Sequence, residues 1–216
     1  MIKINSKSKL AILLSKLKGF KNGKVRIDLE QYQTDPEIAA EIIWFAEMNG
    51  DISGKVIVDL GCGTGILGIA GLVRGAKKVQ FVDIDQNAIT IAKENLELAK
   101  SQTDEELGRS EFIVSDINDF KTKADIVLQN PPFGIKGKKH ADKIFLEKAF
   151  ETADVIYSFH KAESKQFIQS LSKDKGFRIT NYWEFDWPIK MTMKHHIKKI
   201  HRVKVGCWRL EKLINN

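Results

Sequence analysis

Three features of the sequence predict an α/β protein whose seven-stranded sheet is mostly parallel and covered by helices on both faces. From residue 55 onward, short apolar runs alternate with amphipathic stretches at helical spacing. That is the pattern of strand–helix–strand units with right-handed crossovers. A glycine-rich turn, Gly61-Cys62-Gly63-Thr64-Gly65, joins the first apolar run to the helix after it. The last two strand-like runs, 177–187 and 200–210, are long and follow one another, so they are expected to pair antiparallel.

In order, the 8–20 stretch carries Leu10, Leu13, Leu14 and Leu17 at helical spacing, with lysines between, and reads as an amphipathic helix ended near Gly19. A polar segment, 29–34, follows. Thr34-Asp35-Pro36-Glu37 reads as a helix start. Thr34 or Asp35 can cap, Pro36 is preset for the first turn, and Glu37 can close a capping box with Thr34. That helix runs to about Met48. Strands are predicted over 55–60, 78–83, 111–114, 124–129 and 153–159, and helices over 66–73, 87–99, 142–152 and 161–172. The charged 101–110 stretch reads as a loop, and the glycine- and lysine-rich 136–139 stretch as a mobile one. No internal repeat or linker divides the chain. Residues 1 to about 50 are expected to form a helical extension packed on a single domain, 1–216.

With 216 residues, 43% of them hydrophobic, the chain can bury one substantial core. No run is long and apolar enough to span a bilayer, and residues 1–7 lack a signal-peptide core. Cys62 and Cys207 lie far apart, and Cys62 sits inside the glycine turn, so reduced thiols and a cytoplasmic setting are expected. A net charge of +7 points to a polyanionic partner. No metal site is expected, because His195, His196 and His201 sit in a basic segment with no Cys or carboxylate to complete one.

In a doubly wound sheet the ligand sits beyond the carboxyl ends of the strands. Asp59, the glycine turn, Asp83, Asp85, Asp116 and Asn130 all fall at such ends. Glycines let the backbone approach a ligand, and a helix starting near Ile66 offers unpaired N–H groups. An acid ending the second strand can take both hydroxyls of a ribose, with Asp83 the first choice and Asp85 the second. Asp116 can accept from the amino group of an adenine, with the N–H of Ile117 beside it. Asp59, ahead of the turn, can hold a glycine or reach a cationic methionine end. Residues 63–68 also fit a dinucleotide fingerprint, with Asp83 near the spacing of its acidic partner. The glycines alone therefore do not separate a nicotinamide enzyme from an S-adenosylmethionine enzyme.

The run Asn130-Pro131-Pro132-Phe133-Gly134 separates them, because it has no role in hydride transfer. Neither proline can donate to a strand ladder, and Asn130 is pushed toward an extended backbone by Pro131. The result is a stiff turn offering an amide side chain, carbonyl acceptors and an aromatic ring. Acceptors suit an exocyclic amine with two N–H donors, and a ring suits stacking on a base.

The glycine turn with residues 130–133 resembles the class I S-adenosylmethionine-dependent amino-methyltransferases and their Rossmann-like fold. Leu29-Glu30-Gln31-Tyr32 with Thr34, Asp59–Gly65, Asp83-Ile84-Asp85, Asn130–Gly134 and Tyr157-Ser158-Phe159-His160-Lys161 together resemble the adenine-N6 methyltransferases of small-subunit ribosomal RNA. The resemblance implies S-adenosyl-L-methionine as cofactor. It implies contacts to it from Gln31, Thr34, Gly61, Thr64, Ile66, Asp83, Asp116 and Ile117, with Asp59 and Gly63 in the same loop. It implies that Asn130, Pro131, Pro132 and Phe133 hold the target adenine, and that the partners are RNA and a small zinc-binding activator protein. Two functions compete with this one. A protein glutamine methyltransferase would present a similar amide, though such enzymes usually carry Tyr after the prolines. A catalytically silent RNA-binding or assembly factor would not need Asp59, Asp83 and Asn130 intact.

Overall fold

The computed structural model describes residues 2–20, 33–133, 141–189 and 201–213. Its strands are β1 (Val56–Leu60), β2 (Lys78–Asp83), β3 (Arg109–Val114), β4 (Ile126–Gln129), β5 (Val155–Lys161), β6 (Phe177–Ile189) and β7 (His201–Lys212). They form one sheet in the order β3-β2-β1-β4-β5-β7-β6. β1 to β5 pair parallel, and β7 runs antiparallel to both β5 and β6. The order reverses between β1 and β4, so the crevice opens beyond the carboxyl ends of those two strands.

The helices are α1 (Lys7–Ser15), α2 (Pro36–Met48), α3 (Ile66–Val73), α4 (Gln86–Gln102), α5 (Ala141–Thr152) and α6 (Lys165–Asp174). Alternate residues of each strand face opposite sides. Ile57, Ile126 and Leu128 join a cluster with α1 to α4, while Val58, Val127 and Ile156 join a second with α5 and α6. The extension belongs to the first cluster. Ile4, Leu10 and Leu14 are buried there, and the Arg74 guanidinium donates to the Ile4 carbonyl (2.5 Å) while lying 4.4 Å from the ring centroid of Trp44.

Several element bounds differ from the sequence reading. α1 stops at Ser15, short of Gly19, and both backbone polar groups of Lys18 bond instead to the side chain of Asn95. α2 starts at Pro36 as read, and of its two candidate caps Asp35 takes the role: its carboxylate accepts from the N–H groups of Glu37 and Ile38. β4 starts at Ile126 because the Ala124 N–H turns away to Thr152 and the Asp125 side chain takes the N–H of Val56. The 101–110 stretch is shorter as a loop than expected, since α4 continues to Gln102 and β3 begins at Arg109. Gly108 makes that entry to β3 feasible, as a Cβ there would lie 2.0 Å from the Ala76 carbonyl oxygen. β5 continues through Lys161, where a helix was expected. A 3₁₀ turn, Ala162–Ser164, precedes α6.

One buried ion pair, unforeseen in the sequence, binds the hairpin to the rest. Arg209 reaches Asp51 through two hydrogen bonds of 2.8 and 3.2 Å, and Tyr157 adds a third donor at 2.6 Å. Burial alone would raise the Asp51 carboxyl, but donors from Arg209, Tyr157 and Asn49 outweigh it and hold it below the usual range.

Candidate active site

Gly61, Gly63 and Gly65 take positive φ angles of 65°, 53° and 83°, which folds the chain tightly between β1 and α3. The loop is held from behind. The Asp83 carboxylate accepts from the Gly63 N–H through one oxygen and from the Asp85 N–H through the other, both at 2.8 Å. Asp59, 1% exposed, accepts from the Gly68 N–H at 2.8 Å inside the first turn of α3. It therefore anchors a helix glycine just beyond the turn. Asp85 caps α4 by accepting from the Asn87 N–H.

Thr34, Asp59, Gly61, Gly63, Thr64, Ile66 and Asn130 line one cleft, together with Phe20, Gln33, Cys62 and Leu67. Asp83 stands behind the loop. Asp116 and Ile117 lie just past β3, beside the end of β2 through the Ser115 N–H to Asp83 carbonyl bond of 3.0 Å. They do not line this cleft. The Asp116 carboxylate accepts from the backbone and side chain of Asn118, and Ile117 is buried in the second cluster. Gln31 and Gly134 lie outside the described residues.

Freed from capping, Thr34 is 4% exposed, and its Oγ1 accepts from the Asn130 Nδ2 at 3.0 Å. That bond orients the amide. The Asn130 Oδ1 is buried and accepts nothing from any described residue. A buried, aimed and unpaired acceptor costs stability, so it reads as an oxygen kept for a ligand donor. Pro131 is buried and Pro132 half-buried. The Phe133 ring is 8% exposed and packs in the first cluster.

On the opposite sheet face, Gln129 donates to the Ser158 Oγ (2.8 Å), which lies 2.6 Å from the His160 Nε2. This Gln129–Ser158–His160 chain supports the end of β5. His160 and Asp59 titrate with opposite sign. Burial pushes the His160 imidazole down to about 3. The unfolded chain takes that proton near pH 6.5, so this group destabilises the fold as pH falls below about 6.5. For Asp59, burial and then the Asp83 charge push the carboxyl up to about 7, against the Gly68 N–H. The folded chain binds this proton first, so this group destabilises the fold as pH rises from about 4 to about 7. Each slope is at most about 1.4 kcal/mol per pH unit, and they oppose between about pH 4 and 6.5. Relative to the native chain, Asp59→Asn is expected to lose stability on acidification through that window, and His160→Gln to lose it on alkalinisation. Urea unfolding at three pH values checks both, and profiles parallel to the native one would count against this assignment.

Comparison with known proteins agrees with the fold. A family model, the methyltransferase small domain, matches residues 39–155. The crystal structure of PH1948 from Pyrococcus horikoshii, assigned as an RNA methyltransferase, shares 42% identity and superposes with a TM-score of 0.84, over 96% of this chain and 98% of that one. The protein MJ0284 of Methanocaldococcus jannaschii is 38% identical over 96% of this chain and 94% of its own length. The rRNA N(6)-adenosine-methyltransferase Mettl5 of Drosophila melanogaster is 32% identical over 94% of this chain and 95% of its own. The chain is a methyltransferase: it belongs to the methyltransferase small-domain family and groups there with the Mettl5 rRNA N(6)-adenosine-methyltransferases.

Proposed function

We propose that this chain methylates the exocyclic N6 amine of an adenine in RNA, the substrate being small-subunit ribosomal RNA, with S-adenosyl-L-methionine as the methyl donor. The observation that carries the reading is the Asn130 amide, oriented by Thr34 and presenting an unpaired buried oxygen at a glycine-lined cleft. The residues present fit the cofactor: glycines at the loop allow close backbone approach, Asp83 holds the loop from behind at Gly63, and Asp59 anchors Gly68 just beyond it. When bound, the cofactor supplies a methyl group on a sulfonium, already a good leaving group. Thr34, Gly61, Gly63, Thr64 and Ile66 would hold it in the cleft, and the family resemblance adds Gln31, Asp83, Asp116 and Ile117, of which the last three stand outside the cleft's lining.

An adenine amine is a weak nucleophile because its lone pair is delocalised into the ring. The Asn130 Oδ1 and the Pro131 carbonyl accept hydrogen bonds from its two N–H groups, which favours a pyramidal nitrogen with its lone pair free, and the methylated amine then loses its surplus proton to solvent. Phe133 and the prolines hold the base. Catalysis is then orientation and electrostatics. A paired adenine cannot reach such a turn, so the target is single-stranded or flipped out, and the net charge of +7 suits its phosphates. Labelled cofactor incubated with ribosomal RNA should place label on N6-methyladenosine in the small-subunit RNA. Label on a release-factor glutamine instead, or on neither, would overturn the reading.

The same reading places the enzyme in the cytoplasm, paired with a small zinc-binding activator at the sheet edge. β3 is an outermost strand, and an open edge invites strand addition. Of the apolar residues near this edge, Phe112 is half-buried and stacked on Phe81 at 4.8 Å, Ile91 is half-buried, and Ile89 and Leu96 are buried in the chain's own core. Apolar contact would therefore fall to Val114 and Ile84, which are 47% and 51% exposed, and to the half-buried Ile91 on α4. Co-expression with an activator homologue should give a heterodimer on size exclusion. A chain that stays monomeric in its presence, and is fully active alone, would remove the partner.

A further inference from the structure

The apolar stripe of α4 consists of Ala88, Ile89, Ala92, Leu96 and Ala99, all buried, and Asn95 interrupts it at 0% exposure. A buried amide is destabilising unless it is fully bonded. Here the Oδ1 accepts from the Lys18 N–H at 2.7 Å, and the Nδ2 donates to the Lys18 carbonyl and to the Thr64 carbonyl, each at 2.9 Å. The backbone N–H can only donate and the carbonyls can only accept, so the amide orientation is fixed by its partners. One side chain thus ties the backbone just after α1 to a residue of the glycine loop.

Two residues after Lys18, the Phe20 ring lies against that loop. Its Cζ is 3.6 Å from where a Cβ on Gly63 would stand, and the ring lines the cleft. At Gly19 a side chain would collide with the Gln33 amide. The next residue, Thr34, holds Asn130. The extension therefore meets the cleft at two places, on the glycine loop and on the amide that receives the substrate amine.

We propose that Asn95 is a positioning residue for cofactor capture, bridging the Lys18 backbone to the Thr64 carbonyl so that Phe20 covers the cleft where the cofactor binds. The inference rests on the reading that S-adenosylmethionine occupies that cleft. A bond serving the fold alone would need no partner in the glycine loop, and an apolar residue at 95 would continue the stripe.

The test is calorimetric titration of S-adenosylmethionine into the native chain, Asn95→Ala and Phe20→Ala, with melting temperatures and steady-state kinetics alongside. Asn95→Ala is expected to weaken binding about tenfold or more, as loss of paired buried groups implies. Its KM for the cofactor should rise, while kcat at saturation stays within about twofold, the signature of lost ground-state binding. Phe20→Ala is half-buried, outside the core clusters. It should weaken binding several-fold at an unchanged melting temperature, which keeps the test decisive if Asn95→Ala folds poorly. Native affinity in Phe20→Ala, or in a folded Asn95→Ala, would overturn the proposal whatever the melting temperatures. A native chain that binds no S-adenosylmethionine would instead overturn the cofactor reading itself.

Discussion

Asn130→Ala is expected to lower turnover about 100-fold or more while leaving cofactor affinity nearly unchanged. The size follows from what the side chain does. Its Nδ2 is engaged by Thr34, so the free Oδ1 is the group available to an incoming amine. A proton on that amine becomes more acidic as nitrogen attacks, so the bond strengthens on the way to the transition state. Removing one preorganised hydrogen-bonding group aimed at developing charge costs about 2.7–4 kcal/mol in comparable sites. Alanine also relieves the buried unpaired oxygen, so the folded chain should be no less stable by that term. Single-turnover methylation with saturating cofactor, beside calorimetric cofactor titration, separates the two quantities. Near-native turnover would show that the amine is held elsewhere, for example by the Pro131 carbonyl alone.

The reason Asn130 could be singled out from sequence is that its setting is local. A strand that stops at two prolines, after a glycine turn that follows an acid, places its groups at adjacent strand ends through chain geometry alone. The sheet order then brings β1 beside β4, so Asp59 and Asn130 share a cleft. What stayed hidden depends on contacts between distant segments. Thr34 and Asp35 are equal candidates for a cap in one dimension. Only the packing of α2 gives the cap to Asp35 and turns Thr34 toward a residue 96 positions away. The leucine spacing of the extension runs on past Ser15, and nothing nearby reveals that Asn95 takes up the backbone of Lys18. A signal was present, since Asn95 is a polar residue on an apolar helical stripe, but the stripe does not say what the amide bonds. The pairing of Asp51 with Arg209 spans 158 positions and is likewise silent in sequence.

Asp83→Ala is expected to weaken S-adenosylmethionine binding by about 2–4 kcal/mol, roughly 30- to 1000-fold. Two effects contribute. The carboxylate now frames the loop by accepting from the Gly63 and Asp85 N–H groups. It also has remaining lone pairs at the end of β2, where a ribose hydroxyl would meet it. Burial raises its pKa, and the Asp85 charge adds to that, while the backbone donors oppose the rise. A ribose donor would favour the charged form further, so cofactor binding should release a fraction of a proton over the range where this carboxyl titrates. The framing and ribose effects are separable with a cofactor analogue lacking the ribose 2′-hydroxyl. If Asp83 holds that hydroxyl, the analogue should bind the native chain more weakly than S-adenosylmethionine, and Asp83→Ala should no longer distinguish the two. The difference between the two losses is the coupling energy of the contact. An equal loss in both proteins would assign the hydroxyl to another group, with Asp85 next in reach, and leave Asp83 as the residue that shapes the glycine loop.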